Sequence, residues 1–391
     1  MMACVNPKDI PKSLLPKGQS RKKEIDAIGT LEAYSFISKR VTNEAFDIHR
    51  LVHLATRNWL RKQDLVAQWT KKTITQLNKI FPTYRQNRSV WRRYLPHVQY
   101  AIMSDTADQI DFQRIWLEQK YHICLIEDGR YNEAETCLLD NLKIKDRLLG
   151  HEHPDALASM GNLGILYQHQ GRYKEAEDLQ IHLLEKSKRV LGLEHPDTLK
   201  SSGNLACTFR NQGRLNEAED LQIQVLKTRK RVLGLEHPDT LKSLGNLACI
   251  FRDKRRLNKA EDLEVQVLET RKRVLGLEHP DTLKSSGNLA CTLRNQGRLN
   301  KAEDLQIQVL ETRKRVLGLD HPDTLVSMQN LALIWRANGK AKEAVVLMED
   351  CFRRQESSIG TDHPSTKNSL NCLQKWYEID TSESTEISVG S

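Results

Sequence analysis

A period of 42 residues dominates this sequence and limits its fold to repeat architectures. The segments 195–236 and 279–320 agree at 38 of 42 positions. A repeat of this length indicates similar supersecondary units that bury their apolar faces against one another. The period is marked by the dipeptide His-Pro, which begins at His153, His195, His237, His279, His321 and His363.

Each unit contains two amphipathic patterns, which predict a hairpin of two helices. Proline after each histidine suits the first turn of a helix, and Gly234 suits a helix end. The array shows no strand pattern, so we expect an all-α solenoid rather than a propeller. In the unit of His195 the first stripe is Leu199, Ser202, Leu205, Ala206 and Phe209, and the second is Leu215, Ala218, Leu221, Val225, Leu226 and Val232.

The repeats resemble the tetratricopeptide repeats of kinesin light chains. The resemblance rests on Asn-Leu-Ala…Gly-Arg-Leu…Ala-Glu within units and Leu-Gly-x-Glu-His-Pro-Asp between them. It implies a right-handed α-solenoid of 42-residue helical hairpins that acts in protein–protein interaction. One departure is Arg255, which replaces the turn glycine of its unit. We place the array at 108–378, with units from near 108, 153, 195, 237, 279 and 321, a capping half-unit at 363–378 and a disordered acidic tail at 379–391.

One face of each first helix is polar and basic, opposite the buried stripe. At 100° per residue, Lys200, Asn204 and Cys207 share this face, and Arg210 flanks it. The resemblance implies that the face lines a concave groove, where asparagines contact a peptide backbone and cations hold acidic side chains. Cations beside amide donors favour an extended acidic peptide, whereas a solvated polar face is the alternative. The strip recurs as Lys242, Asn246 and Arg252, as Lys284, Asn288 and Arg294, and as Asn330 and Arg336.

The first 107 residues lack the repeat. Their pattern predicts a helix at 25–31, strands at 34–38 and 45–48, a helix at 49–60, and two further helices at 64–80 and 88–103. This order is typical of the end of a winged-helix unit. We therefore divide the segment into a winged-helix-like remnant at 1–62 and a helical linker at 63–107.

Residues 27–55 resemble the winged-helix end of fungal NB-ARC proteins that carry C-terminal tetratricopeptide repeats. These are NLR-like signal-transducing ATPases of the STAND class. The resemblance places His49 where such proteins have a histidine that senses ADP, which makes His49 a candidate for that role in a full-length relative. Arg50 stands where the usual sensor has aspartate. We expect this chain to be the carboxyl-terminal part of such a protein and its array to be a sensor or scaffold arm.

The motifs of catalysis and cofactor binding are missing from the sequence. No Gly-x-x-x-x-Gly-Lys-[Ser/Thr] loop occurs, so we expect no cofactor and no intrinsic nucleotide binding. No nucleophile elbow or His-Glu-x-x-His motif occurs, so we predict that the chain is not an enzyme. Cys207, Cys249 and Cys291 lie on successive hairpins, ~10 Å apart. They cannot share a zinc ion at ~2.3 Å, so we predict no metal site.

Composition indicates a cytoplasmic protein with no membrane partner. No apolar run approaches the ~20 residues of a membrane helix, and the eight cysteines are scattered. Residues 1–107 hold 19 Lys and Arg against 8 Asp and Glu, so the basic charge is local. Two alternatives remain open, a kinesin light chain-like cargo adaptor and nucleic-acid binding through the basic N-terminal segment. The identity of the ligand, the oligomeric state and any occupation of the groove by the acidic tail also remain open.

Overall fold

The computed structural model describes residues 1–15, 20–40, 44–81, 88–104, 112–361 and 363–389. The chain divides into two compact units, Met1–Glu127 and Asp128–Ser391. In the first unit, short 3-10 turns at Met2–Cys4 and Lys12–Leu14 flank the first strand. Its other elements are β1 (Ile10–Pro11), α1 (Arg21–Ala33), β2 (Ile37–Arg40), β3 (Ala45–Ile48), α2 (Arg50–Lys62), α3 (Val66–Ile80), α4 (Arg88–Ile102) and α5 (Phe112–Glu127).

The strands form a small antiparallel sheet in the order β1-β3-β2. Ile37 pairs with Ile48 and Ile10 pairs with Phe46, so β3 is central. Ile37, Phe46 and Ile48 are buried together beneath α1 and α2 residues such as Ile28. The predicted order of helix, hairpin and helix is confirmed. The sequence did not predict β1, because two residues show no alternation.

The second unit is a series of helical hairpins, and the predicted α-solenoid is confirmed. Consecutive helices pack against one another from the first hairpin to the last. The helices are α6 (Tyr131–Leu149), α7 (Pro154–His169), α8 (Tyr173–Leu191), α9 (Pro196–Asn211), α10 (Leu215–Leu233), α11 (Pro238–Asp253), α12 (Leu257–Leu275), α13 (Pro280–Asn295), α14 (Leu299–Leu317), α15 (Pro322–Ala337), α16 (Ala341–Ile359) and α17 (Pro364–Val389).

The His-Pro pairs start the first helices in one repeated way. His195 Nδ1 accepts the backbone N–H of Asp197 at 3.2 Å, and Pro196 is the first helical residue. The imidazole thus satisfies one of the free amides of the helix start. The following helix ends at Gly234, whose φ of 88° suits glycine. These caps explain why the helix boundaries recur with the period.

The predicted apolar stripes form the core, with one exception. Leu205, Phe209 and Ala218 cluster with Leu184 of the preceding hairpin and Ile250 of the following one. Neighbouring hairpins therefore share a continuous core. Val232 was assigned to the stripe but is 44% exposed, because it lies in the last turn of its helix, where the chain leaves the hairpin. The equivalent valines Val190, Val274 and Val316 are exposed as well.

Two boundaries differ from those that the sequence predicts. The division between the units falls at 127/128, whereas the sequence starts the array near 108. The reason is that α5 packs against α3 and α4, with Leu117, Tyr121 and Leu125 fully buried. At the other end α17 runs to Val389 because no proline or glycine interrupts it, although we expected a disordered tail from 379. Residues 105–107 of the predicted linker and 390–391 of the predicted tail lie outside the described residues.

Candidate functional site

The predicted polar strip lies on the first helices of the hairpins, which are neighbours of one another. α7 contacts α9, α9 contacts α11, and α13 contacts α15. Each second helix packs mainly against the first helices beside it. The first helices thus form one layer of the array. We call the outward strip of this layer the groove face, which consists of Lys200, Asn204, Cys207, Arg210 and their equivalents in the other hairpins.

The groove face is accessible along its length. Its lysines Lys200, Lys242 and Lys284 are exposed. Ten residues separate Lys200 from Arg210, so lysines and arginines form two rows ~15 Å apart. Between these rows lie half-buried asparagines and cysteines, namely Asn204, Asn246, Asn288, Asn330, Cys207, Cys249 and Cys291.

The side-chain amides of the groove asparagines are unpaired. In the described part of the chain, the amide groups of Asn204, Asn246 and Asn288 make no hydrogen bond. The backbone carbonyl of Asn204 does accept a bond from Gln168, at 2.9 Å, so the helix junction is made without its side chain. A half-buried amide without a partner is available to a ligand that supplies both donors and acceptors.

One depression brings several predicted residues together. Asn162, Lys200 and Asn204 line it, and Ile165 and Leu183 supply apolar walls. Ile165 occupies the position that cysteine holds in later hairpins. The start of the groove face is therefore less polar than the repeat pattern predicts.

Two groove arginines are already paired with acids of the chain. Arg210 donates from Nε to the carboxylate of Asp253, the last residue of the next first helix. Arg336 donates from both terminal nitrogens to Asp380 in α17, with 3.1 Å between Nη1 and Oδ2. Both carboxylates neutralise a cation that the sequence assigns to ligand binding.

A third arginine turns toward the interior. Arg252 Nη1 lies 3.3 Å from Glu264 Oε1 and 3.4 Å from the carbonyl oxygen of Asn288. Glu264 is 3% exposed, and its burial raises the pKa of the carboxyl although Arg252 opposes this. The arginine thus holds a buried acid. Three other hairpins have glutamine at this position, at Gln180, Gln222 and Gln306, and two have the apolar residues Leu138 and Met348.

The fourth arginine and the lysines differ from these three. Within the described ranges, Arg294, Lys200, Lys242 and Lys284 have no carboxylate at ion-pair distance. The Lys242 side chain as a whole is exposed, but the protein packed around its ammonium group lowers its pKa, and the neighbouring charge of Lys200 adds to this effect. These four cations are the positive charges that the groove face leaves without an internal acid.

The described cysteines and histidines are not grouped as metal ligands. Among the residues that the structure describes, no group of three or more His, Cys, Asp or Glu side chains is placed for coordination. Burial raises the pKa of the Cys207 and Cys291 thiols, so both remain protonated at neutral pH.

His49, the residue that the resemblance makes a candidate for sensing ADP, caps α2 in this structure. Its Nδ1 accepts the N–H of Leu51 at 3.3 Å. No described helix is long and apolar enough to span a membrane.

The sequence interpretation missed the three internal acids. Asp253 and Glu264 each replace an amide residue of the neighbouring units, which is a visible signal in an otherwise uniform repeat. Asp380 belongs to the segment that we interpreted as a disordered tail. Departures from the repeat are therefore more informative about the site than the repeat itself.

Comparison with known proteins connects this arrangement to known repeats. Two family models described as tetratricopeptide repeat match the chain, one at residues 113–185, 160–230 and 208–273, the other at 282–323 and 324–365. Together the matches cover more than half of the chain. Among curated proteins, a "Nucleotide-binding leucine-rich repeat (NLR)-like protein" of Hyaloscypha variabilis is 44% identical over 163 residues. That alignment spans 41% of this chain but 16% of the relative.

Two solved structures are similar to the chain. A structure from Podosopora anserina, described as kinesin light chain nearly identical TPR-like repeats, is 32% identical, with 53% of this chain and 98% of that chain covered and a TM-score of 0.44. NprR, solved in complex with its cognate peptide NprX, is 15% identical over 80% of this chain and 84% of that chain, with a TM-score of 0.52. At that identity the likeness to NprR shows the fold alone.

Proposed function

The chain belongs to the tetratricopeptide repeat family, and we propose that its groove face binds a peptide segment of a partner protein. The observation that carries the proposal is the row of unpaired amides at Asn204, Asn246 and Asn288. An extended peptide has a free N–H and C=O at each residue, which matches an amide that both donates and accepts. The regular spacing of hairpins repeats this contact along the ligand.

The positive charges of the groove face favour an acidic ligand. Lys200, Lys242 and Lys284 are exposed on the same face as the asparagines and have no carboxylate partner in the described chain. A peptide with acidic side chains on one side of its backbone would neutralise this row. The row is exposed, so its contribution falls as salt is added.

We also propose a setting for this binding. The 44% identity to an NLR-like protein supports a role of the array as the sensor or scaffold arm of an NLR-like signalling protein. Because the alignment covers 16% of that relative, the activity of the whole protein is part of the proposal. Ligand binding to the array would then be the input of the signal.

A peptide array tests the proposal with the full chain and a triple variant, Asn204→Ala with Asn246→Ala and Asn288→Ala. The matched control is Asn216→Ala with Asn258→Ala and Asn300→Ala, which removes exposed asparagines of second helices. We expect the first variant to lose peptides that the wild type and the control bind. Equal binding by both variants would move the site away from the groove face. Circular dichroism checks that both variants keep their helices.

A further inference from the structure

An arginine near the end of one first helix can form an ion pair with an acid of the next first helix. Arg210, near the end of α9, is neutralised by Asp253, the last residue of α11. The two residues are 43 positions apart. In this register Arg210 has a partner because an acid occupies the last helical position of the next first helix.

That position varies although the repeats are nearly identical. In the other hairpins it is His169, Asn211, Asn295 and Ala337. Ala337 follows the hairpin of Arg294, so the shortest of these side chains lies where Arg294 would have its carboxylate partner. Ala337 is exposed, so the space that a longer side chain would fill is open to solvent.

Arg294 is distinct from every other groove arginine. Arg210 has Asp253, Arg252 has Glu264 and Arg336 has Asp380. Arg294 is half-buried and has no acidic partner among the described residues. A partly desolvated guanidinium binds a carboxylate more strongly than an exposed one does.

We infer that Arg294 is the carboxylate-selective position of the groove, where an acidic side chain of a bound peptide takes the place that Asp253 takes beside Arg210. This inference rests on the proposed peptide binding and assigns the position-specific part of its acid preference to one residue, whereas the exposed lysines supply a weaker attraction that salt screens. A ligand carboxylate at Arg210 or Arg336 would meet an internal acid that already occupies the guanidinium, and like charges repel. At Arg294 the ligand meets the cation alone.

The first experiment uses an array of short random peptides made in pairs that differ only by Glu or Gln at one position. We expect the wild type to bind some Glu members about tenfold more tightly than their Gln partners. Arg294→Gln removes this preference, whereas the control Arg273→Gln, which changes an exposed arginine that pairs with Glu236 outside the groove face, keeps it. A preference for Glu that survives Arg294→Gln overturns the inference.

A second variant adds an acid near Arg294 and leaves the arginine unchanged. Ala337→Asp supplies the internal acid that Arg294 lacks, so we expect it to weaken Glu peptides about tenfold while leaving their Gln partners unchanged. Equal binding of Glu peptides by this variant and the wild type also overturns the inference. If peptides bind through the asparagines without any preference for Glu, the proposed function stands and only this inference fails. If no peptide binds, both fail.

Discussion

Arg229 donates from Nη1 to the hydroxyl oxygen of Ser243 at 2.7 Å and to the carbonyl oxygen of Asp239 at 3.0 Å. Its side chain is 5% exposed, and burial lowers the pKa of the guanidinium. The bond joins the second helix of one hairpin to the first helix of the next. Arg271 with Ser285 and Arg313 with Ser327 repeat it.

Replacement of this arginine tests how much the junction stabilises the array. We expect Arg229→Met to lower the free energy of unfolding by about 2 kcal/mol, because the bonds of a charged donor are lost and polar acceptors stay buried. Urea denaturation followed by circular dichroism measures the change. The control Arg231→Ala removes an exposed ion pair with Glu194 and should cost a small fraction of that amount. Equal costs would contradict a special role of the buried junction.

A turn residue offers a stabilising substitution. Arg255 has a φ of 60°, where the other turns have Gly213, Gly297 and Gly339 with φ near 80°. A side chain in this left-handed region costs ~1 kcal/mol, so Arg255→Gly should raise the free energy of unfolding by about that amount. Gly213→Arg should lower it similarly in the hairpin before. The prediction fails if the thermal midpoint of Arg255→Gly stays at or below that of the wild type.

We expect low pH to weaken the hydrogen bonds and ion pairs that join neighbouring hairpins near their turns. Gln296 Nε2 donates to Glu261 at 2.8 Å and Arg298 donates to it at 2.6 Å. These bonds, first that of Gln296, hold the pKa of Glu261 below its ordinary value of 4.5 against the opposing effect of burial. The carboxyl therefore stabilises the fold at pH above 4.5, and this stability is lost as the pH falls through the lowered pKa.

The comparison of wild type with Glu261→Gln measures this effect. We expect unfolding midpoints recorded from neutral to acidic pH to fall less steeply for the variant, which has no carboxyl to protonate at that site. Parallel curves for the two proteins would contradict the prediction. Four other carboxyls bridge hairpins in the same way and have lowered pKa values, namely Glu135, Glu177, Glu219 and Glu303.

The thiol of Cys351 should be inert in the folded chain. Burial raises its pKa to about 12, and its Sγ donates to the carbonyl oxygen of Leu325 at 3.3 Å. Alkylation needs the thiolate, so we expect an alkylating reagent to modify Cys351 only after denaturation. Mass spectrometry of native and denatured protein locates the label. Rapid labelling of Cys351 in the native protein would show that this part of the array opens.

The sequence predicts the array well because each helix boundary has a local chemical cause. His195, Pro196 and Gly234 act within their own turns, so their effect can be derived from a few neighbouring residues. The packing of α5 against its neighbours has no such local cause in the sequence. Its apolar pattern predicts burial, but the partner that covers Tyr121 depends on the packing of distant segments.

The sequence suffices to propose where the groove face lies but not which of its charges are available. Helical spacing places Lys200, Asn204 and Arg210 on one face without further information. Whether a guanidinium is available depends on a second residue 43 positions away, as with Asp253 and Arg210. Whether two such residues form an ion pair depends on the directions of their side chains across the hairpin junction. The sequence pattern does not give these directions.

The regular junctions also bear on how such a chain can change in length. If residues 195–236 were deleted, Leu191 and Gly192 would be followed by the helix start at 237. This start repeats the sequence of the one at 195 that follows them now. The helix start at His195 would be replaced by the equivalent start at His237, whereas Thr208, which bonds Gln180 across the present junction, would be replaced by Ile250. Recombination between units can therefore remove or add a hairpin with the helix boundaries kept, while it resets which arginines have acids beside them.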